Sequence, residues 1–138
     1  MFKLVNTLTE NDKISLISSI LYLIAPYRML NVYNRVAVGE ILGFFFIPIV
    51  LRGIYLIFKG KTEKSYLYVL GTIGLILSHN ISTLITFFIG LALVLTHFKK
   101  LKDKKILKTL IFSTIIIILS VLFFEIPLLE QKSSADYE

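Results

Sequence analysis

Residues 66–98 read YLYVLGTIGLILSHNISTLITFFIGLALVLTHF, an apolar run of 33 residues broken once by Ser78-His79-Asn80. Lysine-rich segments bound it, KGKTEK at 59–64 and KKLKDKK at 99–105. A hydrocarbon layer of about 30 Å takes roughly 20 helical residues. As one helix this run would extend about 50 Å, too long for an ordinary crossing. Two shorter helices with a turn at Ser78-His79-Asn80 fit the length better. Basic loops stay on the cytoplasmic side of a membrane, so two basic flanks require an even number of crossings between them. The stretch therefore predicts a hairpin whose tip, His79-Asn80, faces outward.

Composition points the same way. Of the 138 residues, 56% are hydrophobic, and the mean hydropathy of +0.80 exceeds what a water-facing surface tolerates. The net charge of +6 is concentrated in the two loops just quoted, with no stacking aromatics between the lysines. That distribution excludes a nucleic-acid groove and matches the charge asymmetry of a membrane protein. There is no cysteine, which excludes disulfides, thiol catalysis and cysteine-ligated metals.

Working outward, the expected fold class is all-α: a polytopic transmembrane helical bundle forming a single domain over 1–138. About five membrane segments are expected, at 14–26, 41–58, 66–78, 81–98 and 107–124. Residues 1–13 lack the features of a signal peptide and read as a cytoplasmic or interfacial start. Residues 27–38, YRMLNVYNRVAV, read as an interfacial amphipathic helix: Arg28, Asn31 and Arg35 on one face, Met29, Val32, Tyr33 and Val36 on the other. In the 41–58 span Pro48 predicts a kink, Gly43 and Gly53 allow close helix contact, and Arg52 snorkels toward the inner interface. The last span is expected to close at Glu125 and Pro127, leaving a short disordered tail, QKSSADYE. The loops orient the chain in a cell membrane with its N-terminus cytoplasmic and its C-terminus outside.

This orientation brings Arg28, Arg35, Glu40, His79 and Asn80 to the outer face. Arginine forks match phosphate oxygens, so Arg28 and Arg35 with Tyr33 are candidates for holding a lipid phosphate. Glu40, His79 and Asn80 are candidate orienting groups, His79 as acid, base or ligand with Glu40 as its partner. A plainer account makes His79, Ser78 and Asn80 turn and cap residues, and lets the arginines meet anionic headgroups. Glu125 and Glu130 form a conceivable acidic pair or a simple span boundary. No nucleotide loop, HExxH or GxSxG motif occurs, nor the paired acids of a metal-dependent transferase. No residue is singled out as catalytic, no metal-ligating residue is assigned and no cofactor is predicted, with a requirement for a divalent metal left open.

At 26–55 and 75–95 the sequence resembles the YfhO-like and PTPS-related (6-pyruvoyl-tetrahydropterin synthase-related) polytopic membrane families, of the GT-C glycosyltransferase type. The matching positions are Pro26-Tyr27-Arg28, Tyr33, Arg35, Ala37, Glu40, Pro48 and Ser78-His79-Asn80 with Ser82. The resemblance implies transfer of a sugar from a polyprenyl-phosphate donor on the outer membrane face. The implied partners are membrane lipid, that donor and neighbouring membrane helices. Members of these families are longer, with an acidic outer loop upstream, so this chain resembles a middle section. A non-catalytic membrane subunit or scaffold is the alternative, working through small residues such as Gly71, Gly74 and Gly90. A transporter fragment is the third reading.

Overall fold

Each apolar run becomes helix, and short polar interruptions set the ends. The computed structural model describes the chain path over residues 1–135 and side chains over residues 1–123 and at Ile126. Helix α1 covers Phe2–Thr9 and α2 covers Asp12–Leu23. The Asn11 side chain caps α2, accepting from the Lys13 and Ile14 N–H groups at 3.0 and 3.2 Å. Pro26 opens α3 (Pro26–Leu30) at a position where its missing N–H has no cost. A π-helical turn over Asn31–Arg35 follows, ended by Val36 in the left-handed region at φ 47°. Then come α4 (Val38–Phe58), α5 (Tyr66–Ser78), α6 (Asn80–Thr96) and α7 (Lys104–Ala135). Single 3₁₀ turns occupy Thr62–Lys64 and Phe98–Lys102. No strand occurs among the described residues, and the fold is all-α as expected.

Helix α4 is the central element, and glycines set how closely its neighbours approach. The Gly53 Cα faces the Tyr68 backbone, Gly71 faces Val50 and Ile49, and Gly39 faces the Ser78 carbonyl. Successive contacts run in opposite directions, so α5 lies antiparallel along α4. Helix α6 returns parallel to α4, with Ser82 beside Gly43, Gly90 beside Ile54, and the His97 ring stacked 5.2 Å from Phe58. The expected hairpin is present, its tip at His79. Both lysine-rich connections lie at one end of α4, and Glu40 with His79 at the other.

The core joins Val50, Ile54, Ile57, Phe58, Leu75 and Ile106. In water, burying such side chains would stabilise by about 1.5–3 kcal/mol each. Against lipid that gain vanishes, and close packing with satisfied polar groups decides the fold. Apart from Thr72 Oγ1, which is buried without a hydrogen-bond partner, the buried hydroxyls among the described residues conform to this rule. The hydroxyls of Ser15, Ser19, Thr83, Thr86, Thr109 and Thr114 each donate to the carbonyl four residues back, at 2.6–3.0 Å. Large apolar side chains stay exposed along α6 and α7, among them Phe87, Phe88, Phe112 and Leu119. A contiguous surface of this kind suits lipid rather than water.

Two helical stretches, Val38–Phe58 and Lys104–Phe123, are long and apolar enough to cross a membrane. The pair Asp12–Leu23 and Pro26–Arg35, bent by 43°, makes a third if it counts as one span. The sequence reading expected about five. Helices α5 and α6 have 13 and 17 residues, because the break at His79 divides one long run into two short arms.

Three expectations change in detail. The helix expected over 27–38 stops at Arg35, and Val38 already belongs to α4, because the left-handed Val36 breaks the chain direction between them. Helix α7 continues past Glu125 and Pro127 to Ala135, so residues 131–135 of the supposed disordered tail are helical. The side chains of Glu125 and Glu130, and residues 136–138, lie outside the described residues. Finally, α1 folds back on α2 and α4 with Leu4 and Val5 buried. It meets Arg52, whose Nε donates to Thr7 Oγ1 at 3.0 Å, while Lys59 Nζ reaches Thr7 O at 3.1 Å and Glu10 at 3.3 Å.

Candidate functional site

The first turn of α4 exposes backbone N–H groups, a place where a carboxylate is favoured. Glu40 occupies it and gathers four side chains from three parts of the chain. Tyr27 Oη and Asn31 Nδ2 both donate to Glu40 Oε2, at 2.8 and 2.5 Å. Arg35 Nη1 stands 3.3 Å from Oε1, and His79 Nε2 stands 3.9 Å from the same atom. Arg35 Nη1 also donates to Asn31 Oδ1 at 3.1 Å. Asn31 thus serves both members of the ion pair.

The π turn makes this arrangement possible. Its wider coil lets the N–H groups of both Val36 and Ala37 reach the Asn31 carbonyl, and the Asn31 side chain is fully buried. The cluster then grades outward: Glu40 is 13% exposed, His79 25% and Arg35 51%. From the other side the hairpin tip is pressed into place. A Cβ on Gly39 would lie 2.6 Å from the Ser78 carbonyl oxygen and 3.8 Å from His79 Cδ2, so only glycine admits this approach. His79 caps α6 through Nδ1, which accepts the Ser82 N–H at 3.2 Å with Ser82 Oγ 2.8 Å away. With Nδ1 accepting, the neutral ring carries its proton on Nε2, toward Glu40.

The structure brings together Arg35, Glu40 and His79 and separates the remaining candidates. Arg28 turns away, its guanidinium 5.2 Å from the Tyr22 ring centroid and 5.9 Å from that of Phe44. Arg28 and Arg35 share a face only in a regular α-helix, and the π turn between them breaks that register. Tyr33 is 72% exposed, and Asn80 is the exposed first residue of α6. Tyr27 and Asn31 belong to the cluster although they were not among the candidates. The available signal was the spacing of Asn31 and Arg35, four apart, with an acid shortly after.

Chemically, Glu40 is an orienting group whose lone pairs are largely committed. Arg35 commits one terminal nitrogen, and by its inventory of five N–H donors retains others at a half-exposed position. The cluster can therefore receive an anion at Arg35, beside a histidine N–H. Among the described residues no group of three or more His, Asp or Glu side chains is arranged to hold a metal ion. Replacing Asn31 with alanine removes a bond to each partner and leaves both charges less satisfied. It is expected to lower stability by about 1–3 kcal/mol in a thermal melt, and an unchanged melt would show the cluster to be incidental.

Comparison with protein-family models, with curated proteins and with solved structures yields no match.

Proposed function

We propose that the chain is an integral membrane protein, part of a GT-C-like glycosyltransferase that uses a polyprenyl-phosphate-linked sugar at the outer membrane face. One observation carries the reading. The two stretches that bear the resemblance lie far apart in sequence, yet their polar residues meet at Glu40 and His79. A chance likeness between apolar helices would leave such residues scattered. In this reading Arg35 meets the donor phosphate, while Glu40, Asn31 and His79 fix its position. Arg28, engaged with two aromatic rings, takes no part in that contact. The basic loops face the cytoplasm with the N-terminus, α7 runs outward, and α2 with α3, α4, α5, α6 and α7 supply the five segments.

Arg35→Ala and His79→Ala, each in an active full-length context, are expected to lower sugar transfer roughly tenfold or more, with membrane abundance unchanged. Unchanged transfer would remove both residues from the mechanism. Orientation has its own test, since the chain contains no cysteine. A single cysteine at Asn80 should react with an impermeant reagent in intact cells, and one at Thr62 only after permeabilisation. The reverse pattern would put the cluster on the cytoplasmic side.

A second reading, a non-catalytic membrane subunit, is favoured by the close glycine contacts along α4 and the broad apolar faces of α6 and α7. Under it, the Arg35 and His79 variants would be silent while bulky replacements at the glycines would abolish assembly.

A further inference from the structure

The opposite end of α4 presents a different arrangement, independent of the transferase reading. Between α1 and the α4–α5 connection lies a pocket of about 320 Å³, with Lys3, Arg52, Lys59, Lys61 and Lys64 in its walls. Glu10 is the acid in those walls, and it pairs with Lys59 at 3.3 Å. Cations gathered so closely repel one another, and one carboxylate does not balance them. Arg52 is the most demanding. It stands about 9 Å inside the Phe58 end of α4, and the bond from its Nε goes to a neutral hydroxyl, Thr7. A guanidinium set within an apolar layer calls for a counter-charge.

A second cleft of about 570 Å³ opens beside this pocket, between α1, α2 and α4. Leu23, Phe45, Pro48 and Ile49 give it a largely apolar wall; Arg28, engaged with the Tyr22 and Phe44 rings, and Met1 also line it, and no acid does. Phe2, Lys3 and Arg52 belong to both walls, so the basic pocket and the apolar cleft adjoin. A cationic chamber leading into a largely apolar cleft beside α4 is complementary to one class of molecule: an amphiphile with a phosphate head. Free phosphate would use the chamber and leave the cleft without a role. We propose that Lys3, Arg52, Lys59, Lys61 and Lys64 hold the phosphate headgroup of an anionic phospholipid whose acyl chain lies in the cleft beside α4. Basic pockets between membrane helices on the lysine-rich side recognise such headgroups. The bound lipid would fasten α1 to α4 and neutralise Arg52 within the layer.

The test uses the full chain, delipidated in neutral detergent, and native mass spectrometry with phosphatidylglycerol, phosphatidylcholine and glycerol 3-phosphate. Phosphatidylglycerol should bind at least roughly fivefold more tightly than phosphatidylcholine, and Lys61→Gln with Lys64→Gln should weaken it by roughly fivefold per lysine. Both lysines sit at the loop, away from the core, so the variant should melt like the parent in lipid-free detergent. Leu23→Trp, at the cleft rim where the residue is 55% exposed, should weaken phosphatidylglycerol binding with every charge intact. Excess glycerol 3-phosphate should fail to displace the lipid. Equal binding of the two lipids, unaltered binding in both variants, or full displacement by glycerol 3-phosphate would each overturn the proposal.

Discussion

Gly53→Leu is expected to leave no monodisperse folded protein. A Cβ at this position would lie 2.8 Å from Tyr68 Cα and 3.0 Å from the Leu67 carbonyl carbon, and closer still to the Tyr68 backbone nitrogen. Backbone faces backbone, so neither side can yield by rotating a side chain. Relief requires α4 and α5 to separate, and that pair forms the most extensive helix contact in the fold. Alanine alone should cost about 3 kcal/mol, the upper part of the overpacking range, and leucine should exceed what a marginally stable domain can absorb. Gly90→Ala is the control. The atom facing it is Ile54 Cδ1 at 3.2 Å, a methyl that can move, and alanine regains about 1 kcal/mol of helix propensity. Size-exclusion profiles and thermal melts in detergent read both variants. A Gly53→Leu protein as monodisperse as Gly90→Ala would contradict the described α4–α5 contact.

The second large effect is expected at Gly39. Its Cβ would meet the Ser78 carbonyl oxygen at 2.6 Å, so Gly39→Val should drive the hairpin tip away from the start of α4. Stability should fall by about 2–3 kcal/mol. The His79 ring, moved out of reach of Glu40, should show a changed nitrogen resonance. If the transferase reading holds, transfer should fall as far as it does in His79→Ala, although Gly39 would touch no substrate. Because both changes act on one contact, the double variant should be no worse than the more damaging single one. Additive losses would mean that Gly39 and His79 act separately.

What sequence could reveal followed from contrast. The three consecutive polar residues Ser78-His79-Asn80 inside the apolar run locate the break at His79. The lysine-rich segments mark both connections for the same reason. Glu40 and His79 could be placed at one end of the bundle from the positions of the basic loops, but their approach to 3.9 Å depends on the Gly39–Ser78 contact. The π turn was invisible. Nothing in NVYNR distinguishes it from an ordinary helix, and it alone carries Asn31 inward and parts Arg28 from Arg35. The attachment of α1 to Arg52 was equally hidden, because a threonine in a mixed segment gives no sign of the partner it will meet. Of the five expected segments, two are single helices long and apolar enough to cross a membrane and a bent pair makes a third, because the breaks at Ile24–Ala25 and His79 divide the other apolar runs into shorter helices.

The arrangement around α4 also governs how the chain assembles. Helix α5 lies against the helix made just before it, α6 fits beside the same pair, and α7 packs mainly on α5. Contacts that link near neighbours require small loops to close, and small loops close with little loss of chain entropy. The α4–α5 hairpin can therefore form as soon as Tyr66–Ser78 has been synthesised, and it offers α6 and then α7 a finished surface. For these helices order of synthesis matches order of assembly, the Gly53–Tyr68 contact following those of α1 with α2 and α4.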